Sequence, residues 1–483
     1  MTRWLSSTLL FFSVVLLFAS CARREALIGD DLVVLEGGAI LRPDGTLQPD
    51  AVLVLQRDRI SRVGSVGEFE YPSTATIVDA RGRFVLPGFI DMHVHVPVEN
   101  RAETLRTLLA YGVTTIRSPG AYDEESTGVG LRERIARGEV VGPRMFGGGA
   151  FVNGIAGRIP GMVPVGTDEE IRAEVRRQAK LGADWVKLYW DITPPLLKAA
   201  VKEAHAHGLR VAGHLRVTSW TEAARAGIDS LEHSGADGPT WELVTDLSVK
   251  ERLKGQDPPR PKSTLRPAEF YRLWVSTVNL HGNEMESLVM ALRKQDVTVD
   301  PTLVVMQSLY FGDDVGVLKR LEPERMPPPI LATWSSSDPG WEQANPFVTR
   351  NPIGVAQDLT SGKLMLPIAM QIVRMLHERG VRITTGSDVG MPWITTGVSL
   401  HRELELLVEA GISPQDVLLM ASRNGAQALG KSSELGTIEP GKLADLVVLR
   451  ENPLRDIRNT RNIEAVYRAG RRYEPEALLA TNR

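Results

Sequence analysis

Pro87-Gly88-Phe89-Ile90-Asp91-Met92-His93-Val94-His95 reads as a β-strand that ends on two histidines. Side chains alternate along a strand, so His93 and His95 share one face with Asp91, and Met92 and Val94 point to the other. Two imidazoles so placed can grip one metal ion, although such pairs are common on strands and one alone is weak evidence. Downstream, helical patterns alternate with short apolar runs. A helix at 100–111 precedes VTTIRS (113–118), and a helical stretch precedes RMFGGG (144–149). An amphipathic helix at 169–181 leads to DWVKLYW (184–190), and a helix at 194–207 to RVAGHL (210–215). A helix at 218–226 leads to IDSLEH (228–233). VTVDPTL (297–303), a helix near 368–379 and VRITTGSD (381–388) complete the series. Eight strands separated mostly by helices imply parallel pairing, an α/β class and a closed (β/α)8 TIM barrel.

The flanks have a different rhythm. Residues 32–86 carry short strands (DLVVLEGGAIL, AVLVLQ, RISRVG, TIVDA, RFVLP) punctuated by turn formers such as Asp44-Gly45 and Gly82. After a helix pair at 398–429, strand signals return in 436–449 and 463–470. The simplest architecture joins 22–86 and 436–475 in one composite β-sandwich domain, with the barrel (87–435) inserted between its halves. Two stretches interrupt the alternation. Residues 238–275 contain PPRPKSTLRP, and residues 312–362 contain PPP, Trp334, Trp341 and Pro352. They are too long and proline-rich for ordinary connectors, which makes them candidate lids, partner surfaces or homo-oligomer contacts.

Composition removes several function classes. Lys and Arg number 56 against 59 Asp and Glu, so there is no basic excess of the kind a nucleic-acid binder uses. Apolar residues at 43% and charged residues at 24% describe a globular chain, not a disordered or multi-span one. The single cysteine, Cys21, excludes an intramolecular disulfide. Its position is informative. Arg3 precedes the apolar run LLFFSVVLLFA (9–19), which is of signal-peptide length. Phe18-Ala19-Ser20-Cys21 then resembles a bacterial lipoprotein signal, with Phe18 where that pattern usually has Leu. Residues 1–21 are therefore expected to be a lipoprotein-type signal, with Cys21 the lipid anchor of an exported, periplasmic protein. Ala22, in place of Asp, favours the outer membrane. An ordinary secretory signal with an incidental cysteine is the alternative.

The other strand ends give the histidine pair its meaning. Lys187 sits in mid-strand among apolar and aromatic residues, where an ammonium is costly unless paired, snorkelling or chemically neutralised. His214 ends the fifth strand, His233 the sixth and Asp388 the eighth. Each alone is as well explained as a satisfied polar residue. Together with His93 and His95 they put ligand-type groups at the C-terminal ends of five strands, the end where barrel enzymes build their sites. The remaining histidines read as structural: His205, His207 and His377 close helices before glycines, His281 lies in a polar stretch, and His401 sits on a helix.

PGFIDMHVH, Lys187, His214, LEH with His233, GSD with Asp388 and the closing GTIEPGKLADLVV (436–448) with NPL (452–454) resemble the amidohydrolase superfamily over about residues 32–470. The lysine on the fourth strand resembles its binuclear branch, and the chain is most similar to the prolidase-like, imidazolonepropionase-related group of Xaa-Pro and related dipeptidases. The resemblance implies two divalent metal ions, with zinc suited to nitrogen and oxygen donors. His93, His95 and Asp388 would hold the buried ion and His214 and His233 the more exposed one. Lys187, carbamylated by carbon dioxide, and a hydroxide would bridge them. The hydroxide would attack the scissile carbonyl, with Asp388 as proton shuttle. The superfamily's mononuclear deaminases lack the lysine and use a glutamate. Here Glu232 neighbours His233, and alternation turns it to the opposite face.

Substrate contacts are less defined. Tyr189, on the face of Lys187, is a candidate oxyanion donor or a packing residue. Arg216 stands two residues after His214, where many of these dipeptidases have tyrosine or histidine. It could fork onto a substrate carboxylate or pair with a structural acid. Asn153 and Arg158, in the loop after the third strand, are further candidates. The expected activity is hydrolysis of an amide in a small molecule, a dipeptide or N-acyl amino acid. Hydrolysis of cyclic amides, lactones or phosphoesters, or metal binding without turnover, are the alternatives.

Overall fold

A computed structural model describes residues 25–27, 31–97, 100–120, 129–155, 161–234, 240–253, 267–326, 359–391 and 393–480. The apolar run 9–19, Cys21, Arg158, Trp334 and Trp341 lie outside these residues.

The two ends of the chain meet in one mixed sheet. Leu32–Leu41, Leu47–Gln56 and Arg59–Ser65 form an antiparallel meander. Phe84–Pro87 lies parallel to Leu32–Leu41 on one side and antiparallel to Leu446–Leu449 on the other. Ile463–Arg468 and Arg471–Tyr473 extend the C-terminal side. Strand alternation builds two cores here: Leu35, Leu53 and Leu55 feed one cluster, and Val34, Val52 and Val54 feed another. The expected terminal strands thus pair across most of the sequence, in one eight-stranded sheet.

Eight parallel strands carry the middle of the chain: β1 (Phe89–Asp91), β2 (Val113–Ser118), β3 (Arg144–Gly147), β4 (Trp185–Leu188), β5 (Arg210–Gly213), β6 (Ser230–Glu232), β7 (Thr298–Asp300) and β8 (Arg382–Ile383). β1, β2 and β3 form one sheet, and β4 to β8 another, which also includes Val152–Gly154 and Val163–Val165. A bridge from Gly148 to Trp185 links the end of β3 to β4. At the other edge, Val94 bridges Val389, Met92 N donates to Thr385 O (2.9 Å) and Asp388 N to His93 O (2.7 Å). The two sheets therefore touch at both edges. Gly148 is required at the first junction, because a Cβ there would lie 1.8 Å from the Pro119 carbonyl oxygen.

Helices lie between the strands where the periodicity places them, for example Arg101–Ala110, Asp168–Lys180 and Pro194–Ala206. A Thr167/Glu170 capping box starts the second, and prolines at its first two positions start the third. β8 is shorter than its sequence suggests. After Ile383 the chain passes Gly386, and Asp388 adopts φ 57°, so the regular ladder stops there. The proline-rich insertions contain helices Leu247–Leu253, Pro267–Thr277 and Val315–Leu321, and residues 254–266 and 327–358 lie outside the described residues. No helix among the described residues is long and apolar enough to cross a membrane.

Candidate functional site

Parallel strands send their C-terminal ends to one side, and the predicted ligand residues arrive there together. His93 and His95 follow β1, Lys187 is in β4, His214 follows β5, His233 follows β6, and Asp388 closes the segment after β8. All are buried except His95, which is partly exposed. Asp388 Oδ1 lies 3.2 Å from His95 Nε2 and 3.6 Å from His93 Nε2. Ring centroids of His93 and His233 are 4.8 Å apart, and those of His214 and His233 4.2 Å. His93, His233 and Asp388 each offer a ligand atom, all within 4.8 Å of one another.

Each imidazole is oriented by a second partner. His93 Nδ1 lies 2.8 Å from Glu232 Oε2, His95 Nδ1 2.9 Å from the Gly120 carbonyl, and His233 Nδ1 2.7 Å from the Thr302 hydroxyl. These contacts leave Nε2 of all three rings for the centre. His214 differs: its Nε2 accepts the Trp190 indole N–H at 3.1 Å.

Charge is distributed as metal binding requires. Burial, helped by the Lys187 charge, pushes His93 down to about 4, and burial with neighbouring cations holds His214 and His233 well below the ordinary range. The rings are therefore neutral at pH 7, each with one nitrogen lone pair, which on His214 already accepts the Trp190 N–H. Burial works to raise the Asp388 carboxyl, but His93 and His95 outweigh it and keep it ionised. Burial pushes the Lys187 ammonium down to about 8, with Arg117 assisting and Glu232 opposing. Lys187 Nζ and Asp388 Oδ1 are buried and make no hydrogen bond among the described residues. Unbonded buried groups among neutral imidazoles, with nitrogen and oxygen donors, fit divalent cations.

Three features depart from the sequence reading. Glu232 does not face away. Its carboxylate contacts His93, takes the Ser230 hydroxyl (2.6 Å) and receives two bonds from Arg117 Nη2 (2.9 and 2.7 Å). Alternation fails because His233 has φ 65°: the backbone turns after β6 and both residues face inward. Arg117 also reaches Asp300 (3.4 Å) and the Met92 carbonyl (2.6 Å). Burial lifts both carboxyls of this cluster. The Arg117 and Lys187 charges outweigh it at Glu232 and hold that carboxyl well below the ordinary range, while the Glu232 charge adds to it at Asp300 and pushes that one well above. The only signal in the sequence was an arginine inside VTTIRS, a strand whose six residues are all buried. Asp91, expected beside the histidines, is a latch: it accepts from His93 N (3.1 Å), Ser387 N (3.0 Å) and the Ser387 hydroxyl (2.5 Å). It ties β1 to the segment carrying Asp388.

The substrate candidates divide. The Tyr189 ring meets His214 edge-on at 4.9 Å and stacks on Trp190 at 4.7 Å. The Arg216 guanidinium lies over the Trp190 ring at 3.7 Å, and its carbonyl accepts the Trp241 indole N–H (2.9 Å). Trp190 and Trp241 are contacts the sequence reading missed. Buried Asn153 uses Oδ1 to hold the Asp191 N–H (2.8 Å), a bond that shapes the turn after Tyr189. Buried His401 lies between the Thr460 hydroxyl and the Tyr111 carbonyl, on a helix away from these strand ends.

The chain is similar to several known proteins. Dihydroorotase of Anaeromyxobacter dehalogenans is 29% identical over 108 residues, a match spanning 22% of this chain and 20% of that protein. Imidazolonepropionase of Symbiobacterium thermophilum is 24% identical over 437 residues, covering 87% of this chain and 85% of the relative. A solved Xaa-Pro dipeptidase with bound methionine in the active site shares the fold, with TM-score 0.65 and 22% identity over 92% of this chain and 100% of that one. The model of the amidohydrolase family matches residues 84–239 and 348–473. Those segments make up more than half of the sequence and bring every histidine of the centre with them, so the chain belongs to the amidohydrolase family.

Proposed function

We propose that this protein is a metal-dependent hydrolase that cleaves an amide bond in a dipeptide, in the manner of an Xaa-Pro dipeptidase, or in an N-acyl amino acid. The observation that carries the reading is the convergence of His93, His95 and His233 on Asp388, with the buried Lys187 Nζ making no hydrogen bond among the described residues. In this reading His93, His95 and Asp388 would hold one ion, and His214 and His233 a second. Lys187 would be a further ligand as a carbamate, formed when its neutral amine adds to carbon dioxide and releases a proton. Bound ions of this type polarise a carbonyl and lower the pKa of water from about 15.7 to about 7.

The chain's own groups do the rest. Asp388 keeps Oδ1 toward the imidazoles and uses Oδ2 to take the proton of the attacking water and return it to the leaving nitrogen. The Tyr189 hydroxyl donates to the developing oxyanion. Arg216, steadied on the Trp190 ring, forks onto the substrate carboxylate. In the same reading the two parallel sheets are one closed (β/α)8 barrel, set in a small β-sandwich built from 22–86 and 436–475. The edge contacts at Gly148 and Val94 support it. Residues 1–21 export the chain, and Cys21 anchors it by lipid to the outer membrane.

The test is metal analysis with a substrate screen. Two zinc equivalents and hydrolysis of dipeptides or N-acyl amino acids, both lost in Lys187→Ala, are expected. Full hydrolysis by Lys187→Ala refutes the reading. Turnover confined to lactones, cyclic amides or phosphotriesters keeps the centre and replaces the substrate.

A further inference from the structure

We infer that Trp190 competes with a metal ion for His214, so that loading this side of the centre expels the indole and moves Arg216 with it. The inference rests on His214 being a ligand, as proposed above. An indole N–H can only donate, so the 3.1 Å contact requires a lone pair on His214 Nε2. A neutral ring then carries its one proton on Nδ1. Neither nitrogen of this ring can serve an ion while the contact lasts. An ion on Nε2 takes the lone pair that the indole needs. An ion on Nδ1 drives the proton to Nε2, and two N–H groups then face each other. Only a ring stripped of both protons would satisfy both partners, which lies outside ordinary histidine chemistry.

A second observation agrees. His214 lies closer to His233, ring to ring, than His93 does (4.2 against 4.8 Å). Yet neither group of three ligand atoms that clusters within 4.8 Å among the described residues (His93, His233 and Asp388; His93, Glu232 and Asp300) includes His214. The ring is in place, and its Nε2 faces the Trp190 indole. That partner is tied to the substrate side. Trp190 carries the Arg216 guanidinium on its ring at 3.7 Å, and the Trp190 carbonyl accepts Arg216 N–H at 3.2 Å. Displacing the indole removes the surface on which Arg216 rests. Trp190 is thus a positioning residue that makes the place of Arg216 depend on metal occupancy.

The test is zinc titration of the metal-stripped full chain, read by calorimetry and by tryptophan emission. Trp190→Phe keeps a ring to stack and deletes the donor, and Trp190→Leu serves if that variant does not fold. The more weakly held zinc should bind about two- to tenfold tighter in the variant, the worth of one hydrogen bond. Because the chain has 9 tryptophans, the Trp190 signal is the difference between wild type and variant, and it should change across the same equivalent. Unchanged or weaker affinity in the variant, or a flat difference signal, overturns the competition. His214→Asn should lose that equivalent. If it retains both, the ligand reading fails, and this inference with it.

Discussion

Replacing Arg117 by methionine removes a cation from between two buried carboxyls. Arg117, Glu232 and Asp300 are all fully buried. The guanidinium gives Glu232 two bonds, reaches Asp300 at 3.4 Å and satisfies the Met92 carbonyl. With it gone, the nearest cation to Glu232 is Lys187 Nζ at 3.9 Å, too far for a hydrogen bond. Breaking one partner of such a pair costs about 3–5 kcal/mol, a large part of the roughly 5–15 kcal/mol that holds a protein folded. Glu232→Gln alone should lose a similar amount, because the guanidinium is then stranded. The double variant leaves neither charge and keeps an acceptor for Ser230, so it should recover most of the loss. Urea unfolding followed by circular dichroism measures all four proteins. The pH dependence has a definite sign. Without Arg117 the folded pKa of Glu232 rises above its unfolded value. Its stabilising share is then present at acidic pH and lost as pH rises, so the Arg117→Met deficit should shrink from pH 7 to pH 5. A loss under about 1 kcal/mol, or a double variant equal to the sum of the singles, would refute the reasoning.

Zinc uptake by stripped protein should be faster with added bicarbonate, and Lys187→Ala should be indifferent to it; equal rates in wild type remove the carbamate. The metal-free protein should also gain stability between pH 8 and 10.5, because Lys187 titrates near 8 when folded and at 10.5 when free, and Lys187→Met should lack that slope in urea titrations. Arg216→Ala should raise KM for carboxylate substrates about tenfold to a hundredfold and leave neutral esters unchanged; equal losses on both deny Arg216 the carboxylate. His401→Leu strips partners from the Thr460 hydroxyl and the Tyr111 carbonyl and should cost about 1–3 kcal/mol with kcat intact. Burial holds His401 near 3, so wild type should lose stability as pH falls from 6.5 to 3, and the variant should lose less.

Much of this protein is legible in linear order. The helix read at 194–207 runs from Pro194 to Ala206, and DWVKLYW contains the buried strand Trp185–Leu188. The strand-end positions of His93, His95, Lys187, His214, His233 and Asp388 follow from the same local patterns. Such patterns are set by neighbours two to four residues away, which a single sequence displays. The environment of those residues is not local. Glu232 turned inward because His233 takes a left-handed backbone, which the alternation rule cannot anticipate at a strand end. Its partner Arg117 lies 115 residues away. The Trp190 contact that turns His214 depends on a loop conformation held by Asn153. Charge partners and ring orientations are fixed only when distant strands close on one another, because burial alone makes an unmatched donor or charge costly enough to select one arrangement.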